Sequence, residues 1–186
     1  MLETEFKAML TEEQFNVLRS MFEWDHVIEQ TNSYYADSSM LLKQHGITLR
    51  VRTIDGLSRI QVKVHKNADS PLQICEENEF ETDAIPESFT AEETEKLTGL
   101  HVPASLLGSL TTHRYSLMYC DGVEICLDKS DYLGKTDYEI EIEYTGEIPQ
   151  ELKAKLAGAG IEFKAAAVGK MTRFMQRLND VIHGVE

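Results

Sequence analysis

The sequence predicts an α+β fold in which eight strands close into an antiparallel barrel with helices packed outside. Eight segments alternate polar and apolar residues with the period of two that is typical of a β-strand. Asp55-Gly56 and Asp121-Gly122 each lie between two alternating segments, a pattern that predicts tight hairpins. Eight strands are enough to close a barrel, and their apolar faces, if turned outward, would need helices to cover them.

The strands follow one another along the chain without an internal repeat or a long linker. They are predicted over residues 1–9, 25–37, 46–54, 57–66, 73–82, 110–120, 122–130 and 136–145. Residues 65–71 and 83–90 are predicted to be exposed loops between them.

Four helices are predicted between and after the strands. A capping box, Thr11-Glu12-Glu13-Gln14, opens the first helix, which runs to about Phe22. Thr90 begins the second, and Pro149 and Gly158 bracket the third. Apolar residues at helical spacing predict the last helix over residues 169–183.

The bulk composition is typical of a single reduced, cytoplasmic domain. The chain has 186 residues, of which 42% are hydrophobic, so we expect one domain over residues 1–186. No apolar run approaches the roughly 18 residues of a membrane span, and an N-terminus that is acidic from Glu3 does not fit a secretory signal. The cysteines, Cys75, Cys120 and Cys126, form no CxxC pair, which favours a reducing compartment.

The charge and the motifs exclude several classes of function. A net charge of −14 argues against a nucleic-acid-binding surface, because phosphate backbones are bound by excess Lys and Arg. The six histidines show no HxxxH or HExxH spacing, so a zinc centre is not expected. A GxxxxGK[ST] phosphate-binding loop is also absent from the sequence.

Charged residues occupy one face of most predicted strands, often with the same sign. In the first strand Glu3, Glu5 and Lys7 share a face, since side chains alternate along a strand. The same spacing groups Arg50 with Arg52, Glu77 with Glu79 and Glu81, Glu124 with Asp128, and Glu139 with Glu141 and Glu143. Two interpretations follow. These faces are either solvated, or they line a polar interior that binds ions.

The ordered set of charged residues resembles the CYTH superfamily, the triphosphate tunnel metalloenzymes. The opening Glu3-x-Glu5-x-Lys7 is similar to the family's ExExK signature. The resemblance implies a closed eight-stranded antiparallel barrel, the triphosphate tunnel, whose charged interior binds a triphosphate and divalent metals. Activities in the family include tripolyphosphatase, thiamine triphosphatase, RNA triphosphatase of mRNA capping, and adenylate cyclase.

The resemblance assigns roles to residues along nearly the whole chain. It implies that the substrate-binding and catalytic cations are Lys7, Arg50, Arg52, Lys63, Arg114 and Lys170, with Arg173 as a further substrate-binding residue. It implies that the metal ligands are Glu3, Glu5, Asp128, Glu139 and Glu141, with Glu77, Glu79 and Glu143 as further tunnel acids. Lys170 and Arg173 have an alternative interpretation as the solvated edge of an amphipathic helix.

The chemistry of these residues fits a metal-dependent triphosphatase. Arginine forks and lysine ammonium groups suit phosphate oxygens, and clustered carboxylates suit Mg²⁺ or Mn²⁺. We expect a small triphosphate substrate, most simply inorganic tripolyphosphate, with neither a nucleic-acid nor a membrane partner and with no prediction of the oligomeric state. The alternatives are a thiamine triphosphatase, an adenylate cyclase, or a module that binds polyphosphate or nucleotide without turnover.

Crowded carboxylates also predict an effect on stability. If Glu3, Glu5, Glu139 and Glu141 converge, their mutual repulsion would raise at least one carboxyl pKa. Glu141→Gln is then expected to raise, or at least not to lower, the melting temperature of the metal-free protein.

Overall fold

The computed structural model describes residues 2–66, 73–162 and 167–184, apart from the side chains of residues 2, 3 and 73. The described strands are β1 (Leu2–Leu10), β2 (His26–Ala36), β3 (Ile47–Ile54), β4 (Leu57–His65), β5 (Gln73–Thr82), β6 (Ser88–Phe89), β7 (Ala104–Cys120), β8 (Val123–Tyr132) and β9 (Lys135–Tyr144). The described helices are α1 (Glu12–Met21), α2 (Leu41–Gln44), α3 (Ala91–Thr98), α4 (Gln150–Gly158) and α5 (Lys170–His183). Among them, no helix is long and apolar enough to cross a membrane.

Eight of the strands form a closed antiparallel barrel. Their order is β2-β3-β4-β5-β1-β9-β8-β7, and pairing of β2 with β7 closes the ring. The two-residue strand β6 pairs only with the start of β7 and lies outside the ring. The predicted fold class is therefore confirmed.

The β3–β4 hairpin shows how local sequence closes neighbouring strands. Asp55 and Gly56 both have positive φ angles, 50° and 79°, as the two central residues of a type I′ turn require. The turn sets Ile54 opposite Leu57 and, four pairs further along the ladder, Arg50 opposite Gln61. The register places the polar residues of both strands on the same face.

The apolar faces of the strands point outward and are covered by helices. Phe15 and Leu18 of α1, with Leu152 and Leu156 of α4, pack in one buried cluster with the outer side chains of β1, β8 and β9. A second cluster joins the outer faces of β2, β3 and β4 to α2 and to the segment around α3. Burial of these apolar surfaces on the outside of the barrel leaves its inside to the charged residues.

Helix α5 packs against side chains that face into the barrel. Phe174 is fully buried between the rings of Tyr34 and Tyr132, with centroid separations of 5.5 and 6.1 Å. This contact brings the first turn of α5, which begins at Lys170, against the interior acids.

The structure differs from the predicted elements in three places. Strand β7 begins at Ala104 rather than at residue 110, because its pairing with β2 continues to Ser105 opposite Ala36. The pairing passes a bulge near Gly108, where the register shifts and where a Cβ would lie 3.0 Å from the Phe174 ring. Helix α2 spans four residues, too few for a periodic signal, and its Leu41 and Leu42 amides donate to Asp37. Strand β6 lies within a predicted loop, and residues 67–71 of the other predicted loop lie outside the described residues.

Candidate active site

The charged strand faces meet inside the barrel around a cavity of ≈ 290 Å³. Its walls include Glu5, Lys7, Arg50, Arg52, Lys63, Glu77, Glu79, Arg114, Glu141, Glu143 and Lys170. The interpretation of a charged interior therefore holds for the buried and half-buried members of this set, whereas Glu79 lines the cavity and is also exposed to solvent.

One wall of the cavity, formed by β3 and β4, carries the cations Arg50, Arg52 and Lys63. The Arg50 guanidinium lies 3.6 Å from Glu77, and the Lys63 ammonium lies 3.6 Å from Glu5 and 4.0 Å from Glu77. Arg52 has no carboxylate within 4.0 Å among the residues that the structure describes. For Arg50 and Arg52, separations of this length from the described carboxylates leave much of the positive charge available to an anion.

The environment of Arg52 is electropositive. Burial, followed by the neighbouring guanidinium groups of Arg50 and Arg114, lowers the pKa of Arg52 to about 9. The group therefore remains charged at neutral pH, but at a cost in free energy. A bound anion would remove that cost.

The opposite wall, formed by β1, β8, β9 and the start of α5, has tightly paired charges with Glu141 at their centre. Its carboxylate contacts the ammonium groups of Lys7 and Lys170 at 2.8 and 3.0 Å and also pairs with Arg114. Burial alone would raise the pKa of Glu141, but Lys170, Lys7 and Arg114 together hold it well below its usual range. The carboxyl pKa that crowding was expected to raise is therefore not that of Glu141, because the cations outweigh its acidic neighbours, but that of Glu139.

Lys170 and Arg173 of α5 face the barrel interior. The Lys170 ammonium bonds to Asp128 at 2.8 Å and to Glu139 and Glu141, and it is only 8% exposed. Arg173 pairs with Asp137 at 2.9 Å and with Glu139. The alternative of a solvated helix edge is wrong for both residues, although Arg173 is not among the side chains that line the cavity.

Two groups of carboxylates have oxygens close enough to share a cation. Glu5, Glu141 and Glu143 form one group, and Asp128, Glu139 and Glu141 form the other, with the oxygens of each group within 4.8 Å of one another. The Lys170 ammonium already bonds every member of the second group. The side chain of Glu3, the remaining predicted ligand, lies outside the described residues.

Coulomb interactions separate the two β9 glutamates. Burial, and then the charge of Glu141, act against the ionised form of Glu139, and its pKa is raised in spite of Lys170. Asp128 shows the opposite result, since Arg114 and Lys170 overcome its burial and lower its pKa. Glu139 is thus the acid of this group whose ionised form the protein stabilises least.

Several cavity residues are not among the predicted site residues. Gln61, Glu124 and His65 line the cavity, and Asp137 lies beyond Glu139 on the same face of β9. Each of them is two residues from a predicted neighbour or on the same strand face, so the period-two spacing places them inside. Gln61 and His65 carry no like-charge signal that would single them out in the sequence.

Comparisons with known proteins identify the family. The model of the CYTH domain family matches residues 1–161. A Bacillus subtilis (strain 168) protein named "Putative triphosphatase YjbK" is 31% identical over 147 residues, 76% of this chain and 77% of the relative. A solved structure of a "putative adenylate cyclase" from Bacillus halodurans is 23% identical, with a TM-score of 0.71 over 92% of this chain and 96% of that one.

A second solved structure, that of HpAC1 from Hippeastrum, gives a TM-score of 0.74 at 22% identity, over 94% of this chain and 95% of that one. At this level of identity the two structures show a shared fold. The family match and the Bacillus subtilis relative show that the chain belongs to the CYTH domain family.

Proposed function

We propose that this protein is a divalent-metal-dependent hydrolase of a triphosphate, with inorganic tripolyphosphate as the first substrate. The observation that carries the proposal is the division of the cavity into two walls. The weakly compensated guanidinium groups of Arg50 and Arg52 on β3 face a cluster of carboxylates on β1 and β9. A metal-bound polyanion complements both walls at once.

The cationic wall suits a chain of phosphates. Arg50, Arg52 and Lys63 lie on adjacent strands along one side of the cavity, and arginine forks match phosphate oxygens in pairs. Lys7, Arg114 and Lys170 line the other side, where each is already paired with carboxylates. We assign the first three cations to substrate binding, and all six to stabilising charge on the substrate and the leaving phosphate.

The acidic wall fits a hard divalent cation. Glu5 Oε1 is buried and has no hydrogen-bond partner among the described residues, and the nearest ammonium groups, those of Lys7 and Lys63, stand 3.6 Å away. Clustered carboxylate oxygens are the ligands that Mg²⁺ and Mn²⁺ prefer. We therefore assign Mg²⁺ or Mn²⁺ to Glu5, Glu141 and Glu143, with Glu3 as a further ligand. Such an ion would polarise phosphate oxygens and neutralise their charge.

The second acidic group has a different place in the proposal. Asp128 and Glu139 remain candidate ligands, but a metal between them would have to replace the Lys170 ammonium. Without such a metal, Asp128 bonds to both Arg114 and Lys170 and holds these two cations at the wall of the cavity. Phosphoryl transfer needs little covalent chemistry from the protein, so positioning of this kind is its main contribution.

Relatives support hydrolysis of a triphosphate in this fold. The Bacillus subtilis relative is named a "putative triphosphatase", and the HpAC1 structure is described as that of a "putative adenylyl cyclase" with a dominant triphosphatase activity. We also treat residues 1–186 as one domain. Although the family match ends at residue 161, the later helix α5 supplies cations to the same barrel.

One observation favours an organic triphosphate as a second candidate substrate. A further cavity of ≈ 360 Å³ adjoins the first at Arg52, Gln61 and Glu79, and Ile54 and Leu57 contribute apolar wall to it. A thiamine or nucleoside group attached to the last phosphate would have room there. Hydrolysis or cyclisation of such a substrate would use the same cationic wall.

A substrate panel tests the proposal. Purified protein is given tripolyphosphate, pyrophosphate, ATP or thiamine triphosphate, each with Mg²⁺, Mn²⁺ or EDTA, and released phosphate, cyclic nucleotide and bound ligand are measured. We expect phosphate from tripolyphosphate only when metal is present, and much slower release from pyrophosphate, which is too short to engage the whole cationic row. Cyclic AMP without phosphate, or binding without turnover, would contradict the proposal.

A further inference from the structure

Arg50 and Arg52 are each held at Nε by a neutral amide from the neighbouring strand. Arg50 Nε donates to Gln61 Oε1 at 2.7 Å, and Arg52 Nε donates to Asn32 Oδ1 at 3.0 Å. The two amides stand directly opposite their arginines in the β3–β4 and β2–β3 registers. Gln61 is 3% exposed and Asn32 is fully buried, so both bonds are shielded from bulk solvent.

Two other arginines, Arg114 and Arg173, are held at Nε by carboxylates instead. Arg114 Nε donates to Asp128 at 2.9 Å, and Arg173 Nε donates to Asp137, also at 2.9 Å. A carboxylate at Nε fixes the guanidinium plane and neutralises its charge. An amide oxygen fixes the same plane but leaves the charge in place.

The amides carry a cost that a carboxylate at position 32 would avoid. Asn32 Nδ2 is buried and has no hydrogen-bond partner among the described residues, and a buried unsatisfied donor costs free energy. An aspartate would accept the Arg52 bond equally well and would have no donor to satisfy. Gln61 Nε2 donates to the Glu79 carboxylate, so the Gln61 side chain lies between that carboxylate and Arg50.

We propose that Asn32 and Gln61 are positioning residues that orient Arg52 and Arg50 toward the cavity while keeping their charge available to a polyphosphate. The inference deepens the proposed function, since it concerns how the same cavity binds its substrate. Because the two amides are neutral, they would keep the affinity of the arginines for the anion high. Neither residue needs to touch the substrate to do so.

Near-isosteric charge variants test the proposal. Asn32→Asp and Gln61→Glu keep the oxygen that accepts the arginine bond and add one negative charge. Binding of tripolyphosphate is measured by calorimetry in EDTA, so that metal and turnover play no part. We expect each variant to bind on the order of 10- to 100-fold more weakly than wild type, with a smaller dependence of affinity on salt concentration.

Melting curves separate this role from a purely structural one. Asn32→Asp should melt at the wild-type temperature or higher, because it gains an ion pair and loses an unsatisfied donor. Asn16→Asp adds the same charge on an exposed position of α1 and should leave the affinity unchanged. If the amides act only as structural acceptors, the variants that keep the acceptor will bind as tightly as wild type.

The outcomes distinguish this inference from the function on which it rests. Wild-type protein that neither binds nor hydrolyses tripolyphosphate would contradict the proposed function itself. Wild-type binding that Asn32→Asp and Gln61→Glu both retain would overturn only the role of the amides. Failure of both variants to fold would also overturn it, because a carboxylate would then not fit in place of either amide.

Discussion

Glu141→Gln is expected to destabilise the metal-free protein. The substitution keeps the size of the side chain and removes the charge that pairs with Lys7, Lys170 and Arg114. Loss of one partner from a buried ion pair typically costs about 3–5 kcal/mol, because a charge is left buried without compensation. The structure shows which of the three cations is affected most.

Lys7 loses the most in the variant. Lys170 keeps Asp128 at 2.8 Å and Glu139, and Arg114 keeps its two bonds to Asp128. Lys7 retains only Glu5, at 3.6 Å, among its described ion pairs. With one cation uncompensated rather than three, we expect the lower end of the range, about 3 kcal/mol. In a chain of this length that corresponds to a fall of about 6–12 °C in melting temperature.

The assay is thermal unfolding in EDTA, followed by circular dichroism at neutral pH. Glu147→Gln serves as the control, since Glu147 is exposed and its charge removal should change stability by less than about 0.5 kcal/mol. Added Mn²⁺ should stabilise the wild type by mass action and widen the gap to the variant, which lacks one metal ligand. A Glu141→Gln protein that melts in EDTA at or above the wild-type temperature would refute the ion-pair reasoning.

Two further predictions concern a cation and a buried carboxylate. Arg52→Ala should lower the rate of tripolyphosphate hydrolysis by roughly 10²- to 10³-fold, the effect of losing one transition-state donor. Lys153→Ala, on α4 outside the barrel, should not change the rate. Equal steady-state kinetics for the two variants would argue against the cavity as the active site. Asp37→Ala should lower the free energy of unfolding by about 1–3 kcal/mol in urea titrations, because it leaves two α2 amides without their acceptor. Burial alone would raise the pKa of Asp37, but hydrogen bonds from Ser39 and these amides lower it, so this stabilisation should be present above about pH 4 and lost as the pH falls through the lowered pKa. An Asp37→Ala stability difference that persists unchanged at pH 2 would contradict that assignment.

The barrel could be predicted because its signals are local. Period-two alternation marks each strand, and a dipeptide such as Asp55-Gly56 specifies a hairpin without reference to the rest of the chain. The four long helices begin at caps or breakers that can also be recognised locally, such as the capping boxes at Thr11 and Thr90. Helix α2 and strand β6 could not be predicted in this way, because elements of two to four residues are too short to show a helical or strand periodicity.

The residues that line the cavity could be predicted more fully than the partners with which each of them forms ion pairs and hydrogen bonds. Glu77 and Glu79 share a face, and both line the cavity as their spacing implies. Their partners differ, however, since Glu77 lies near Arg50 and Lys63 whereas Glu79 accepts from Gln61. Such partners depend on the register between strands that are distant in sequence.

The net effect of neighbouring charges on Glu141 could not be predicted from the spacing of residues in the sequence. In sequence Glu141 is seen beside Glu139 and Glu143, and like charges at this spacing predict repulsion. In the fold it also meets Lys7 from β1 and Lys170 from α5, which come from opposite ends of the chain. Only closure of the barrel and docking of α5 bring those cations within reach, and they reverse the sign of the effect on the pKa of Glu141.

The most direct test of the central claim is to locate substrate and metal together. Crystals of the protein are grown with Mn²⁺ and a methylene-bridged tripolyphosphate analogue that resists hydrolysis, and the metal is identified by its anomalous scattering. We expect the phosphates inside the barrel against Arg50, Arg52 and Lys63, with Mn²⁺ bound between them and the carboxylates of Glu5 and Glu141. A triphosphate bound outside the barrel, or Mn²⁺ bound away from these carboxylates, would contradict the account.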